Sequence, residues 1–246
     1  LKKLFLPLGF FLTQTRKRLS WLFLLSFLVD FRGLMVTLSR GGYLAFATGL
    51  HAMIFFRNKF VFLALIIGTA VVLMNPILLP AGVRYRIGET LERPLGGAAT
   101  VDSIKDSLDP NSRYRIEIWK GALSMIRQNP LLGVGYNLFE SKIQHYWPEL
   151  ERMDTHNTYL LIASEMGIPA LFVFLLMVLL VMGKALALYR ITQDPLSKAL
   201  SLGFLGGIFA LLTSHLFTNE LDAPEVSGYF WVLAAMIYRL RALENG

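Results

Sequence analysis

The chain has 246 residues, of which 54% are hydrophobic, with 24 basic against 17 acidic side chains and no cysteine. That apolar content exceeds the ~45–50% of a soluble domain and argues against a cytosolic globule. The missing thiols exclude disulfide frameworks, zinc–thiolate sites, iron–sulfur clusters and thiol nucleophiles. A net charge of +7 would suit nucleic acid, but its placement points elsewhere. Arg16, Lys17 and Arg18, Arg57 and Lys59, Lys184, Arg190 and Lys198, and Arg239 and Arg241 lie in short segments that abut apolar runs, whereas residues 81–156 balance ten bases with ten acids. This is the positive-inside pattern of a multi-span membrane protein, and it implies membrane lipids rather than nucleic acid as partners.

Taken in chain order, Lys2 and Lys3 precede an apolar stretch over 4–12 that is too short to span and lacks a signal-peptide cleavage site. It reads as the stump of a helix, with further spans expected before residue 1. Apolar runs over 19–38, 41–56, 60–80, 158–182, 199–217 and 226–240 approach the ~20 residues that cross a bilayer. With the basic loops inside, alternation puts 81–156 outside. The predicted fold is an all-α integral membrane protein, a multi-span helical bundle with a large, partly helical outer (periplasmic) loop. Its expected divisions are 1–80 for the N-terminal spans, 81–156 for the loop and 157–246 for the C-terminal spans. Asp30 and Arg32 fall near the outer end of the first run, in a long helix or in the turn itself, and are expected to form a mutual ion pair.

Within the loop, residues 81–112 are rich in Gly, Pro, Ser, Asp and Thr and predict irregular chain. Residues 113–128 place Ile116, Trp119, Leu123 and Ile126 at helical spacing, which predicts an amphipathic helix on the outer membrane surface, stopped by Asn129-Pro130. Gly133-Val134-Gly135 lacks the third glycine and the strand–helix context of a dinucleotide site and predicts a tight turn. Tyr146 and Trp147 suit the headgroup level.

His51 reads as a packing or hydrogen-bonding residue and His145 as a solvated one. His215, at the outer end of a helix, either caps it or lines a site. His156 differs by position. It stands between Asp154-Thr155 and Asn157 where the loop re-enters the membrane, so it either caps the next helix or takes a proton from a hydroxyl at the lipid–water boundary. Glu165, nine residues on, lies inside the span and requires a partner base or a role in a site. Arg40, Arg84, Arg86, Arg113 and Arg115 emerge from separate segments on the same outer side. Guanidinium forks match phosphate oxygens bidentately, so a group of them suits a pyrophosphate at headgroup level.

Three blocks, TLSRGGYLAF (37–46), RIEIWKGALSMIRQNPLLGVGYNLF (115–139) and THNTYLLIASEMGIPALFVF (155–174), resemble the O-antigen ligase and O-antigen polymerase superfamily, membrane glycosyltransferases of the GT-C type. The likeness covers roughly residues 20–240. The family pattern of a His followed by Asn, nine residues and a Gly is met by His156, Asn157 and Gly167. Ala170 stands where members carry Gly, Thr or Tyr, a departure that bears on ligase versus its relatives.

The resemblance implies a metal-independent transferase without a cofactor. It would move a glycan from undecaprenyl pyrophosphate to an acceptor hydroxyl, lipid A-core foremost, at the periplasmic face of a bacterial inner membrane. It makes His156 the catalytic residue, Arg40 and Arg115 pyrophosphate ligands with Arg84 and Arg86 matching more loosely, and Asn157 and Glu165 supporting residues. Polysaccharide polymerase and protein O-oligosaccharyltransferase are the alternatives within the superfamily. A lipid-linked sugar transporter or flippase is the alternative of another class, for which inverted repeats would be expected.

Overall fold

A computed structural model describes residues 2–13, 17–88, 109–150, 153–219 and 223–244. All regular structure among the described residues is helical: α1 (Lys2–Thr13), α2 (Lys17–Val36), α3 (Arg40–Arg57), α4 (Lys59–Met74), α5 (Ala81–Gly88), α6 (Pro110–Gln128), α7 (Phe139–Tyr146), α8 (Thr158–Met166), α9 (Ile168–Ile191), α10 (Pro195–Ser214) and α11 (Pro224–Leu243). The stretches Arg18–Val36, Ile168–Ile191 and Pro195–Ser214 are long and apolar enough to cross a bilayer. The chain is a helical membrane protein. It divides into two compact units, residues 1–79, 176–214 and 220–246 forming the first and residues 80–175 and 215–219 the second.

In the first unit α10 is the central helix, buried along most of its length. Lipid tails give apolar helices little reason to associate, so close backbone approach through small residues supplies the packing. A Cβ on Gly9 would lie 2.6 Å from the Ala199 carbonyl oxygen, and one on Gly203 would lie 2.6 Å from that of Phe5. Gly49 and Gly206 bring α3 equally close to α10, with the Phe5 ring between them. The short apolar stretch at 4–12 is therefore a packed helix, with Leu4, Phe5 and Leu8 in the core beside Ala45, Met53, Leu202 and Ala210.

Asn58 ends α3 and starts α4. Its N–H donates to the Ile54 carbonyl at 2.8 Å, while its side chain accepts from the amides of Phe60 and Val61. α4 buries no residue and exposes Phe60, Leu63, Ile67 and Val71, a surface suited to lipid contact. His51 is hydrogen-bonded through both ring nitrogens, Nδ1 donating to the Ala47 carbonyl at 2.7 Å and Nε2 facing the Thr69 hydroxyl at 3.2 Å.

The alternatives for Asp30 and Arg32 are resolved by α2, which runs on to Val36, so both residues are helical and the turn falls at 37–39. Residues two apart on a helix point away from each other. Accordingly, the expected ion pair between them is absent.

The core of the second unit is Ile118, Ala122, Met125, Val134, Phe139, Ile143 and Leu150. Asp109 caps α6 by accepting from the Ser112 amide at 3.2 Å, Pro110 opens the helix, and Asn129 closes it where the sequence places its stop. The buried stripe, however, is Ile118, Gly121, Ala122 and Met125, not the face through Ile116, Trp119, Leu123 and Ile126, and Leu123 is exposed. Gly121 explains the difference, because its bare backbone admits Ile143 and Trp147, whose atoms would lie 2.7 and 3.2 Å from a Cβ there.

Two further expectations are corrected. Residues 81–88 are helical rather than irregular, the turn opening with the Arg84 amide donating to the Pro80 carbonyl; residues 89–108 lie outside the described chain. The single span expected over 158–182 is two helices broken at Gly167, whose φ of +87° no helix accommodates. The break is held by the Ile168 amide donating to the Pro130 carbonyl at 2.8 Å, and a Cβ on Gly167 would lie 2.1 Å from the Leu131 carbonyl oxygen.

Candidate active site

The start of α8 carries the densest polar network of the second unit. Asn157 is the N-cap, its side-chain oxygen accepting from the amides of Tyr159 and Leu160, both at 3.0 Å. Its own side-chain amide donates to the Leu216 carbonyl at 3.3 Å, and the Thr158 amide donates to the His215 carbonyl at 2.9 Å. The Thr158 hydroxyl donates to the Thr218 carbonyl at 2.8 Å. Residues 153–158 are thus stitched to residues 215–219, two segments about sixty positions apart in sequence.

α6 adds two anchors one turn apart on the same helix. Trp119 Nε1 donates to the Thr155 carbonyl at 3.1 Å, and Arg115 Nη1 donates to the Phe217 carbonyl at 3.2 Å. Arg115 and the His156 segment are therefore fastened to one scaffold. The remaining groups complete it. Asn219 donates through its side-chain amide to Asp154 Oδ1 and to the Thr155 hydroxyl oxygen, the latter at 3.0 Å.

His156 stands out of this scaffold. Its φ is +47°, a left-handed conformation uncommon outside glycine and a mark of locally over-determined backbone. Its Nδ1 lies 3.4 Å from Asp154 Oδ2, its side chain is 44% exposed, and among the described residues Nε2 has no protein partner. The imidazole is held on one side and open on the other, which suits a group that must meet a substrate. His215, by contrast, is fully buried, its ring 6.1 Å from that of Tyr159 and 6.2 Å from that of Phe174.

Glu165 is buried, yet among the described residues neither a base nor the start of α8 holds it. Its two oxygens accept from the amides of Asn137 and Phe139, each at 2.9 Å. The amides of Val134 and Gly135 donate in turn to the carbonyls of Ser164 and Glu165. Gly133, at φ +64°, has no room for a side chain against the Glu165 backbone, so the Gly133-Val134-Gly135 stretch is the tight turn expected and wraps the end of α8.

The other arginines lie elsewhere in the chain. Arg40 is the first residue of α3, in the first unit, behind the Ser39 cap that accepts from the Gly42 amide at 3.1 Å. Arg84 is exposed on α5 in the second unit; Arg86 follows on the same helix, its side chain outside the described residues.

Comparison with known families matches residues 21–175 to the family described as O-antigen ligase. That stretch contains the Ser39-Arg40 block, all of α6 and the His156 segment, and it exceeds half of the chain. The chain belongs to the O-antigen ligase family. No curated protein matches it. Membership makes the protein a glycosyltransferase-like enzyme of the membrane, with a lipid-linked glycan as substrate.

For this O-antigen ligase family member, the residues that sequence reasoning passed over are those that build the scaffold: Asp154, Thr155, Asn219 and Trp119. Asp154 and Thr155 were visible as neighbours of His156, but nothing in the spacing announced that Asn219 would return to them. The polar pair Thr218-Asn219 at the end of the apolar run over 199–217 was the available signal.

Proposed function

We propose that the protein is an O-antigen ligase that moves a glycan from undecaprenyl pyrophosphate to a hydroxyl of lipid A-core at the periplasmic face of the bacterial inner membrane. The observation that carries this reading is His156, an imidazole with one nitrogen beside a carboxylate and the other open, on a segment braced by the helix that bears Arg115. In the reaction, Nε2 of His156 accepts the proton of the acceptor hydroxyl as that oxygen bonds to the anomeric carbon. The bond from that carbon to the pyrophosphate breaks, and its electron pair leaves with the lipid diphosphate. The proton then passes from His156 to water.

Arg115 and Arg40 bind the pyrophosphate, with Arg84 and Arg86 contributing, and offset the charge that develops on it, a role that needs no metal or cofactor. Asn157 fixes the backbone that carries His156. Glu165 supports the same helix from its far end. In the membrane, residues 81–156 face the periplasm between the spans of 1–80 and 157–246.

Chain polymerisation is the second reading, because Ala170 departs from the family pattern and weakens the distinction between ligase and its relatives. The test offers the purified protein an undecaprenyl-pyrophosphate-linked glycan with either lipid A-core or a second lipid-linked glycan as acceptor, with and without EDTA. Ligation predicts glycan on lipid A-core, unchanged by EDTA. Elongation of the lipid-linked glycan instead makes the protein a polymerase, and loss of transfer in EDTA contradicts the metal-free mechanism.

A further inference from the structure

A neutral imidazole carries its proton on one nitrogen only, and a base must present the other. What decides between the two is the group facing Nδ1. At His156 that group is Asp154 Oδ2, at 3.4 Å. Catalytic hydrogen bonds are often long before substrate binds and tighten in the complex. A carboxylate accepts and does not donate, so facing Nδ1 it selects the tautomer with the proton on Nδ1 and the lone pair on Nε2, toward the open side.

The carboxylate is itself fixed. Its other oxygen, Oδ1, accepts from the side-chain amide of Asn219, and that same amide donates to the Thr155 hydroxyl oxygen at 3.0 Å. The Thr155 oxygen also accepts from the Asn157 amide at 3.2 Å. The two oxygens of Asp154 are thus divided, one to the scaffold and one to the histidine. The positive φ of His156 reverses the chain between Asp154 and the helix cap, so that a residue two positions back meets the ring.

We infer that Asp154 is a positioning residue for glycan transfer, holding His156 as its Nδ1–H tautomer with Nε2 directed at the acceptor hydroxyl, and that Asn219 orients Asp154 for this task. The inference rests on the reading of His156 as the base. When Nε2 takes the hydroxyl proton, the positive charge that forms on the ring lies beside the Asp154 carboxylate, which stabilises it without accepting the proton. Asp154→Asn preserves shape but removes the charge and allows its amide to donate to Nδ1, favouring the wrong tautomer.

The experiment is nitrogen-15 NMR of the imidazoles in the purified, histidine-labelled protein, at a pH where the rings are neutral, with transfer kinetics on the same samples. The chain has four histidines, and the signal lost in His156→Ala assigns the one of interest. The result expected is an Nδ1–H tautomer for His156 in the natural protein and an Nε2–H or mixed tautomer in Asp154→Asn. Asp154→Asn should lower kcat by roughly 10- to 100-fold, a part of the ~10²–10⁴-fold that a positioned base contributes, with KM for the lipid-linked donor unchanged. Asn219→Ala should shift both readouts the same way but less. Unchanged signals from His51, His145 and His215 report that each variant is folded.

An Nε2–H tautomer in the natural protein, or a tautomer indifferent to Asp154→Asn, overturns the inference while leaving His156 as the base. Normal transfer by His156→Ala overturns the reading of the base itself, and the role of Asp154 in transfer falls with it, whatever the tautomer.

Discussion

Replacing Glu165 by alanine leaves the amides of Asn137 and Phe139 without their acceptor, the second of them fully buried. Orphaning a buried donor costs about 1–3 kcal/mol. The variant is therefore expected to melt earlier in detergent with the turn at 130–138 loosened, which faster hydrogen exchange of residues 131–139 would register. Glu165→Gln keeps one acceptor oxygen and should fall between. Equal melting of all three proteins would mean that the carboxylate does not hold this turn. The sequence announced that Glu165 needed a partner, since a bare carboxylate within a span is costly. It did not announce that the partner would be backbone, because amide donors carry no residue signature.

Asp194 has the opposite character, an exposed carboxylate at the head of α10. The Ser197 amide and then the Ser197 hydroxyl, each at 2.8 Å, hold its carboxyl below the usual carboxylate value. A depressed folded-state pKa contributes stability above the unfolded value, and that stability is lost as pH falls through the folded value. The natural protein is expected to lose a small increment of melting temperature on acidification that Asp194→Ala does not lose. Solvent screening keeps this increment small. Parallel acid profiles would contradict it.

At the scale of elements, helix ends were the legible part. The stop at Asn129-Pro130 stands where the sequence places it, and the apolar runs located most of the long helices. The caps at Asn58, Asp109 and Asn157 use the same chemistry, but the helix that Asp109 opens starts before the 113 expected, and Asn157 rather than His156 is the cap. Hydropathy alone missed the break at Gly167, because residues 158–182 are apolar on average despite Glu165, and an averaged run does not register Gly167 and Pro169 as a helix end. Only the left-handed φ of Gly167 and the closeness of the Leu131 carbonyl make that glycine obligatory. The inward face of α6 was misread for a related reason. Two stripes of similar hydrophobicity compete on that helix, and Gly121, rather than apolar count, selects the buried one.

Gly203 gives the sharpest test at this scale. A side chain there meets the backbone of α1 at 2.6 Å, and neither helix can yield locally. Gly203→Val is expected to separate α1 from α10 and to lower folded yield severely, whereas Gly183→Val, with nothing within 4 Å of its Cβ position, should be tolerated. Similar yields for the two would contradict the close-packed arrangement of the first unit.

At the scale of the whole molecule, basic loops and apolar runs together support the proposed topology. The chain has no cysteine, so single cysteines can be introduced cleanly. Glu140→Cys and Gln193→Cys, both at exposed positions, are expected to react with a membrane-impermeant maleimide from opposite faces, the first from the periplasmic side. Labelling from one side only would require the topology to be redrawn.

The central claim is that His156 acts on the acceptor while arginines hold the donor, and it is tested most directly by one comparison. Transfer at saturating lipid-linked glycan is measured for the natural protein and for His156→Ala, with donor binding measured on the same preparations. The expected result is donor binding unchanged and transfer reduced by about 10²–10⁴-fold, the loss that follows removal of a positioned general base. Near-normal transfer by His156→Ala would contradict the claim.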